Sequence, residues 1–229
     1  MVSEVGSRLV DETRQEVLKM ARLVQSIFHK TASSLLDRSI HSAREAISLA
    51  SSVRHFENSI DLRATASLGV LRLKGQKLRF FSAAMSITRL LRLMSEKSAE
   101  LSESSLVFAR RPPFGFHENL RCTLDTVGIM LRESVENLIA PSTADAERVC
   151  RKDSELDEKL ESTEREIIEA MSKTPALIEK GITLIAVFRD LRSFALLCGD
   201  LMELSMFIHT GDSYHCLEAD RKSSATEKH

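Results

Sequence analysis

The segment VRHFENSID at Val53–Asp61 decides the fold, because a related segment, VCRKDSELD, returns at Val149–Asp157. The second copy stands at an offset of 96 residues and keeps one apolar and two acidic residues in register. The paired positions are Val53 with Val149, Glu57 with Asp153 and Asp61 with Asp157. Repetition at a fixed spacing indicates that one structural unit occurs twice in the chain.

A second match extends the repeat towards the end of each copy. Arg92 and Glu103 return as Arg192 and Glu203 at an offset of 100 residues. The longer offset implies a few extra residues between the second and third elements of the second copy. The two halves are therefore expected to contain the same elements in the same order.

Glycine and proline divide each half into three helices. Gly75, Pro141 and Pro175 mark helix ends, since glycine frees the backbone there and proline cannot continue a helix beyond its first turn. Between such breaks, apolar residues recur at the spacing of one helix face. The predicted helices cover residues 4–34, 37–73, 76–108, 116–139, 143–172 and 175–209.

The strongest break is the sequence RRPPFG, which ends at Gly115. We therefore predict a first three-helix repeat at residues 1–110, a linker at 111–115 and a second three-helix repeat at 116–211. Residues 212–229 are expected to form a flexible tail, because small and charged residues dominate its end. The predicted fold class is all-α, with two tandem, internally repeated three-helix bundles.

The composition agrees with a helical protein. The 229 residues include 43% hydrophobic and 5% aromatic residues, with only 8 glycines and 4 prolines, which favours long helices over strands and turns. No uncharged apolar stretch approaches the roughly 20 residues that a membrane span needs, and the first residues lack a signal-peptide pattern, so a cytoplasmic location is expected. The cysteines are far apart and are expected to be free thiols: Cys122, Cys150, Cys198 and Cys216.

The repeated acidic pairs are the feature that carries chemistry. Residues four apart share one face of a helix, so Glu57 with Asp61 and Asp153 with Asp157 each place two carboxylates side by side. Such a pair is only a weak indication of a metal site, because many solvated helices carry one. No sequence motif of a nucleotide-binding loop, a serine hydrolase or a zinc protease is present. The sequence therefore predicts neither an enzyme nor a cofactor.

Through these acidic pairs the chain resembles the phosphate-uptake regulator family PhoU. The second half carries the resemblance in VCRKDSELDEKLE and in DLRSFALLCGDLMELSMFIHTG, and LRFFSAAMSI resembles the start of the third helix of the first repeat. The resemblance implies two three-helix repeats, each with D/E-xxx-D on its middle helix and with E-R-x-x-D and a closing Glu on its last. In the family these residues bind multinuclear iron or zinc clusters on the bundle surface.

The family motif is only partly kept in this sequence. Arg92 and Arg192 stand where the family has Glu, and Leu196 stands where it has Asp. A guanidinium cannot ligate a cation and its charge repels one, so the resemblance implies metal sites that are disabled in both halves. The acids that match the family are Glu57, Asp61, Glu96, Glu103, Asp153, Asp157 and Glu203.

The two arginines suggest what replaced the metal. Because a guanidinium is a rigid fork of donors, Arg92 and Arg192 are each expected to bridge to an acid of the middle-helix pair in their own half. The alternative is that both arginines extend into solvent, where an ion pair contributes only about 0–1 kcal/mol.

A basic stretch stands beside the acidic pairs. From Leu62 to Ser95 the chain has seven basic residues and no acidic one, although its net charge is only −1. Besides Arg92, the positive surface predicted there comprises Arg63, Arg72, Lys74, Lys77, Arg79 and Arg89. The alternatives that stay open are a solvated helix face, an anion, a lipid surface, an acidic partner, and self-association or docking between halves through the acidic helix at residues 145–169. Nucleic acid is unfavoured, because no recognition motif accompanies the charge.

We interpret the chain as a non-enzymatic, PhoU-like regulator of phosphate uptake and phosphate signalling that works without the family's metal clusters. The partners that the resemblance implies are components of a phosphate transporter or a sensor kinase, and a homodimer is a further candidate assembly. Two alternatives stay open. One is a metal-binding helical bundle that uses the surviving acids, and the other is a helical scaffold or oligomerisation module.

Overall fold

The computed structural model of the protein describes residues 2–109 and 115–216. Across these residues it contains six α-helices, one short 3₁₀ turn at Pro175–Leu177 and no strand, which confirms the all-α prediction. Each helix lies within a few residues of the bounds predicted for it. The helices are α1 (Val2–Leu36), α2 (Ile40–Val70), α3 (Gly75–Ala109), α4 (His117–Ile139), α5 (Thr143–Lys173) and α6 (Ile178–Thr210).

The middle helix of each half begins at a serine cap. The Ser39 hydroxyl accepts a hydrogen bond from the backbone N–H of Ser42 at 3.2 Å, and the Ser142 hydroxyl accepts one from the backbone N–H of Asp145 at 3.3 Å. Such a cap satisfies a backbone donor that has no partner within the helix. The same device thus starts α2 and α5, which carry the repeated acidic pairs.

The two halves share one apolar core. α1, α2 and α3 pack together, as do α4, α5 and α6, and α3 also packs against α6 while α1 packs against α4. The buried residues of all six helices form a single cluster. Within this cluster the ring centroids of Phe28 on α1 and Phe194 on α6 lie 4.7 Å apart. The division into repeats at residues 1–110 and 116–211 stays a prediction, and most of the predicted linker lies outside the described residues.

Polar contacts also join the halves. Lys97 on α3 forms an ion pair with Asp190 on α6, with 3.0 Å between Nζ and Oδ1. At the C-terminal end of α6, Arg79 Nε donates to the carbonyl of Ile208 at 3.0 Å and Arg79 Nη2 donates to the carbonyl of His209 at 3.2 Å. A cation at a helix C-terminus satisfies open carbonyls and complements the helix dipole.

The expectation of four free thiols is wrong for two of them. Cys150 on α5 and Cys216 form a disulfide across 66 residues of chain, while Cys122 and Cys198 are free. The reason is that α6 ends at Gly211 with a φ of 90°, a left-handed conformation that turns the following residues back. Cys216 then lies beside α5, so separation in sequence does not exclude pairing.

The start of the predicted flexible tail, residues 212–229, also differs from the prediction. Residues 212–216, which we call the C-terminal strap, are held by this disulfide and by contacts to α6. The strap is therefore fixed where the prediction had a flexible segment. Residues 217–229 lie outside the described residues.

The disulfide predicts a thiol count and a loss of stability. Protein unfolded without reductant is expected to expose two titratable thiols, and four after reduction. Cys150→Ser is expected to lower the free energy of unfolding by about 2–4 kcal/mol, since a cross-link that closes a long loop restricts the unfolded chain. Chemical denaturation under oxidising conditions measures this, with Cys122→Ser as the control. Four free thiols in the oxidised protein would contradict the pairing.

Candidate functional site

In the first half, Arg92 lies between two carboxylates at the contact of α2 with α3. Its Nε donates to Glu57 Oε1 at 2.9 Å, and its Nη1 donates to both carboxylate oxygens of Glu96 at 2.7 Å. The Arg92 and Glu57 side chains are only 20% and 15% exposed. Partial burial of this kind strengthens a charge-assisted hydrogen bond relative to one in bulk water.

A second arginine reinforces the cluster. Arg54, one turn before Glu57 on α2, brings its Nη2 to 3.3 Å from Glu96 Oε1. The hydrogen bonds from Arg92 to Glu96 and to Glu57 raise the pKa of the Arg92 guanidinium further above its usual range. Two acids and two arginines therefore form a network in which the carboxylates of Glu57 and Glu96 each contact a guanidinium.

Asp61, the second acid of the α2 pair, has a different partner. The hydroxyl of Thr88 on α3 donates to Asp61 Oδ1 at 2.8 Å. Burial raises the pKa of Asp61, the Thr88 hydrogen bond lowers it, and the nearby Glu57 carboxylate raises it, with a net upward direction. The structure thus divides the acidic pair between a guanidinium and a hydroxyl. Thr88 lies one turn before Arg92, but nothing in the repeat pattern singled it out.

In the second half the corresponding contact is more open. Arg192 Nη2 on α6 lies 2.5 Å from Asp157 Oδ2 on α5, with side chains that are 46% and 31% exposed. Leu196, one turn further on, is 48% exposed and offers no ligand atom. Cys198 on α6 is buried, and this burial, together with the charges of Asp153 and Asp200, raises the pKa of its thiol.

The two closing glutamates are placed differently. Glu203 binds the C-terminal strap, because its Oε1 accepts the backbone N–H of Cys216 at 2.9 Å and its Oε2 lies 3.4 Å from His215 Nδ1. Glu103 is exposed on α3. The strap is the feature that sequence analysis missed, since its position depends on the turn at Gly211 and on the pairing of Cys216.

The donor set does not fit the metal clusters that the family resemblance implied. In the first half, the Arg92 guanidinium occupies the space between Glu57 and Glu96. In the second half, Arg192 contacts Asp157. Leu196 has an alkyl side chain, which offers no ligand atom to a cation. Within residues 2–109 and 115–216, no three His, Cys, Asp or Glu side chains converge as a cation would require. Hard and borderline cations need several converging oxygen, nitrogen or sulfur donors.

The predicted basic surface is divided by the fold. Three of its members are used within the molecule, since Arg63 pairs with Glu16 at 3.0 Å, Lys77 donates to Ser7 and Arg79 caps α6. The other three are exposed: Arg72, Lys74 and Arg89. Three of the six residues thus have acceptors on α1 or α6, and the positive surface stays a prediction.

Comparison with known families and proteins agrees with this architecture. A family model described as "PhoU domain" matches residues 123–204. A Thermotoga maritima protein named phosphate-specific transport system accessory protein PhoU homolog 2 is 23% identical over 207 residues, covering 90% of this chain and 88% of that protein. An Aquifex aeolicus protein named phosphate-specific transport system accessory protein PhoU homolog is 26% identical over 180 residues, covering 79% and 81%.

Solved structures show the same fold. The crystal structure of PhoU from Pseudomonas aeruginosa superposes with a TM-score of 0.86 at 17% identity, covering 90% of this chain and 99% of that one. The phosphate transport system regulatory protein PhoU from Streptococcus pneumoniae superposes with a TM-score of 0.82 at 20% identity, covering 91% and 99%. The likeness extends over both halves of the chain.

The difference in exposure between the arginines predicts unequal effects on stability. Arg92→Ala leaves Glu57 and Glu96 close together without the guanidinium that binds both of them. It is expected to lower the free energy of unfolding by about 1.5–3 kcal/mol. Arg192→Ala removes an exposed contact and is expected to cost less than about 1 kcal/mol. Urea denaturation at neutral pH measures both. Equal losses would show that the Arg92 cluster has no special role.

Proposed function

We propose that this chain, which is similar to PhoU proteins in sequence and in fold, is a non-enzymatic accessory regulator of phosphate uptake and phosphate signalling. Support comes from the two relatives, which carry phosphate-transport accessory names and align with most of this chain. In such a role the chain acts by binding other proteins, with the transporter components or a sensor kinase as its partners. Its long, rigid helices suit this role, since they present extended faces at fixed positions.

No helix in residues 2–109 or 115–216 is long and apolar enough to span a lipid bilayer.

We further propose that this regulator works without the family's metal clusters. The observation that carries this proposal is a guanidinium at the same motif position of both halves, in contact with Glu57 and Glu96 in one and with Asp157 in the other. A metal cluster would link acids of neighbouring helices only when the metal is available. An arginine is charged at every physiological pH and makes a permanent link.

The two halves contribute unequally to this arrangement. The Arg92–Glu57 contact between α2 and α3 is mostly buried, whereas the Arg192–Asp157 contact between α5 and α6 is more exposed. The disulfide and the C-terminal strap fix the α5 and α6 side by another route. In this proposal the helix faces therefore keep their spacing regardless of metal supply.

Metal content tests the proposal against the alternative of a metal-binding bundle. Wild-type protein purified without chelator is expected to carry far less than one iron or zinc per chain. Arg192→Glu combined with Leu196→Asp removes the cation and places four acids on facing helices, and this variant is expected to gain metal. The matched control is Arg165→Glu with Ile168→Asp, which makes the same changes of residue type on the exposed side of α5.

Elemental analysis of the three proteins gives the answer. Near-stoichiometric metal in the wild type that is lost on Asp153→Asn and Asp157→Asn would overturn the metal-free proposal and favour the metal-binding bundle. Metal gained equally by the control would show that the added acids bind without a specific site.

The regulatory role needs a test in the native host. Deleting the gene is expected to change phosphate uptake and the response of a phosphate-starvation reporter, and a plasmid copy should restore both. The copy with Arg92→Lys keeps the positive charge but loses the planar guanidinium that binds two carboxylates, and it is expected to restore both less well. An unchanged uptake rate and reporter response after deletion would contradict the role and favour a helical scaffold.

A further inference from the structure

The C-terminal strap forms one wall of an apolar depression between α3 and α6. The depression has a volume of about 400 Å³. Its lining includes Leu90 and Leu93 of α3, Leu204 and Phe207 of α6, and residues 213–215 of the strap. Because the strap supplies one of the three walls, the position of the strap decides whether this depression is bounded or open.

Two tethers fasten the strap at Cys216. One is the disulfide to Cys150 on α5, and the other is the Glu203 carboxylate on α6, whose Oε1 accepts the Cys216 backbone N–H at 2.9 Å. Tyr214 also packs against the core, and its hydroxyl oxygen is buried. Short segments with few contacts have the lowest free energies of local opening. The covalent tether is therefore the contact on which the position of the strap depends most.

The backbone provides a hinge at the start of the strap. Gly211 has a φ of 90°, in a region that glycine enters without steric cost. The Arg79 guanidinium lies against Gly211, since a Cβ there would be 3.2 Å from Nη1. Arg79 also donates to the carbonyls of Ile208 and His209 in the last turn of α6. These contacts do not involve residues 212–216, so the strap can turn away while α6 stays capped.

The two sulfurs of the disulfide differ in access to solvent. Cys150 is 1% exposed, whereas Cys216 is partly exposed. Disulfide exchange begins with attack of a thiolate on a sulfur that it can reach, and solvent-accessible disulfides are the labile ones. An external thiolate therefore attacks Cys216 Sγ, and the buried sulfur of Cys150 is the leaving group.

We propose that the Cys150–Cys216 disulfide is a redox switch that holds the strap over the depression and releases it on reduction. A dithiol reductant attacks Cys216 Sγ, the S–S bond breaks, and the Cys150 sulfur leaves and takes up a proton. The second thiol of the reductant then displaces the Cys216 sulfur, which also takes up a proton. The reductant becomes a disulfide, and the protein gains two electrons, two protons and two thiols.

Reduction leaves the strap with only its noncovalent contacts. The strap then turns about Gly211, and the depression loses the wall formed by residues 213–215. The six helices stay packed, because their apolar faces bury one another in a single core. This inference does not rest on the proposed phosphate-regulator function.

Tyrosine fluorescence of the full chain tests the release of the strap. Tyr214 is the only tyrosine and the chain has no tryptophan, so the emission reports on the strap alone. Dithiothreitol is expected to raise the acrylamide quenching constant at least about twofold, because the partly buried ring enters solvent. Alkylation and mass spectrometry should count two free thiols before reduction and four after it. Circular dichroism should show the same helix content in both states.

Two variants separate the disulfide from other effects of the reductant. Cys216→Ser should have the high quenching constant with and without dithiothreitol. The matched control is Cys122→Ser, which removes a thiol outside the disulfide and should respond to dithiothreitol as the wild type does.

The anionic dye 8-anilinonaphthalene-1-sulfonate tests the depression itself. The dye fluoresces on exposed apolar surface, so its signal is expected to rise on reduction. Arg89 is exposed and lines the depression, and Arg89→Gln should weaken dye binding to the reduced protein about two- to fivefold. The matched control, Arg72→Gln, neutralises an exposed arginine that does not line this depression and should change dye binding less than about twofold.

Three results would overturn the proposal. The first is a disulfide that dithiothreitol reduces only as helix content is lost, which would make it a staple of the fold. The second is a fully reduced, folded protein whose Tyr214 quenching constant equals that of the oxidised protein. The third is an equal dye signal in the two redox states, which would show that the strap does not control the depression.

Discussion

Burial of six apolar helix faces in one core is the constraint on which the rest of the structure depends. The core passes from the first half to the second, with Phe28 and Phe194 in ring contact at 4.7 Å. Because α3 packs on α6 and α1 on α4, the relative position of the halves is set by the same packing that forms each half. The motif residues on α2 and α3, and on α5 and α6, consequently meet at helix contacts that the core has already aligned.

At these contacts we propose that charge complementarity takes the place that the family resemblance assigns to metal coordination. Arg92 binds a mostly buried Glu57 and a more exposed Glu96, and Arg192 contacts Asp157 in a more exposed setting. Facing acids on neighbouring helices repel each other unless a cation lies between them. A guanidinium supplies that cation covalently, so the cluster does not vary with metal concentration. This is the physical basis of the proposed regulator whose helix contacts do not depend on metal.

The sequence alone was sufficient to predict the helices and to single out the two arginines, because both are local or periodic properties. Gly75, Pro141 and Pro175 marked the ends of helices, and the repeat placed Arg92 and Arg192 opposite acidic pairs. The Cys150–Cys216 disulfide, the Thr88 hydroxyl on Asp61 and the capping of α6 by Arg79 were not predictable in this way. Each of them depends on where two distant segments meet, which neither periodicity nor a repeat offset specifies.

A double-mutant cycle between Arg92 and Glu57 tests the central claim most directly. The free energy of unfolding is measured for the wild type, Arg92→Ala, Glu57→Ala and the double variant, with and without chelator. The account predicts a coupling free energy of about 1 kcal/mol or more that is the same in both conditions. A coupling near zero, or one that appears only when iron or zinc is added, would contradict the claim that the arginine itself links the two helices.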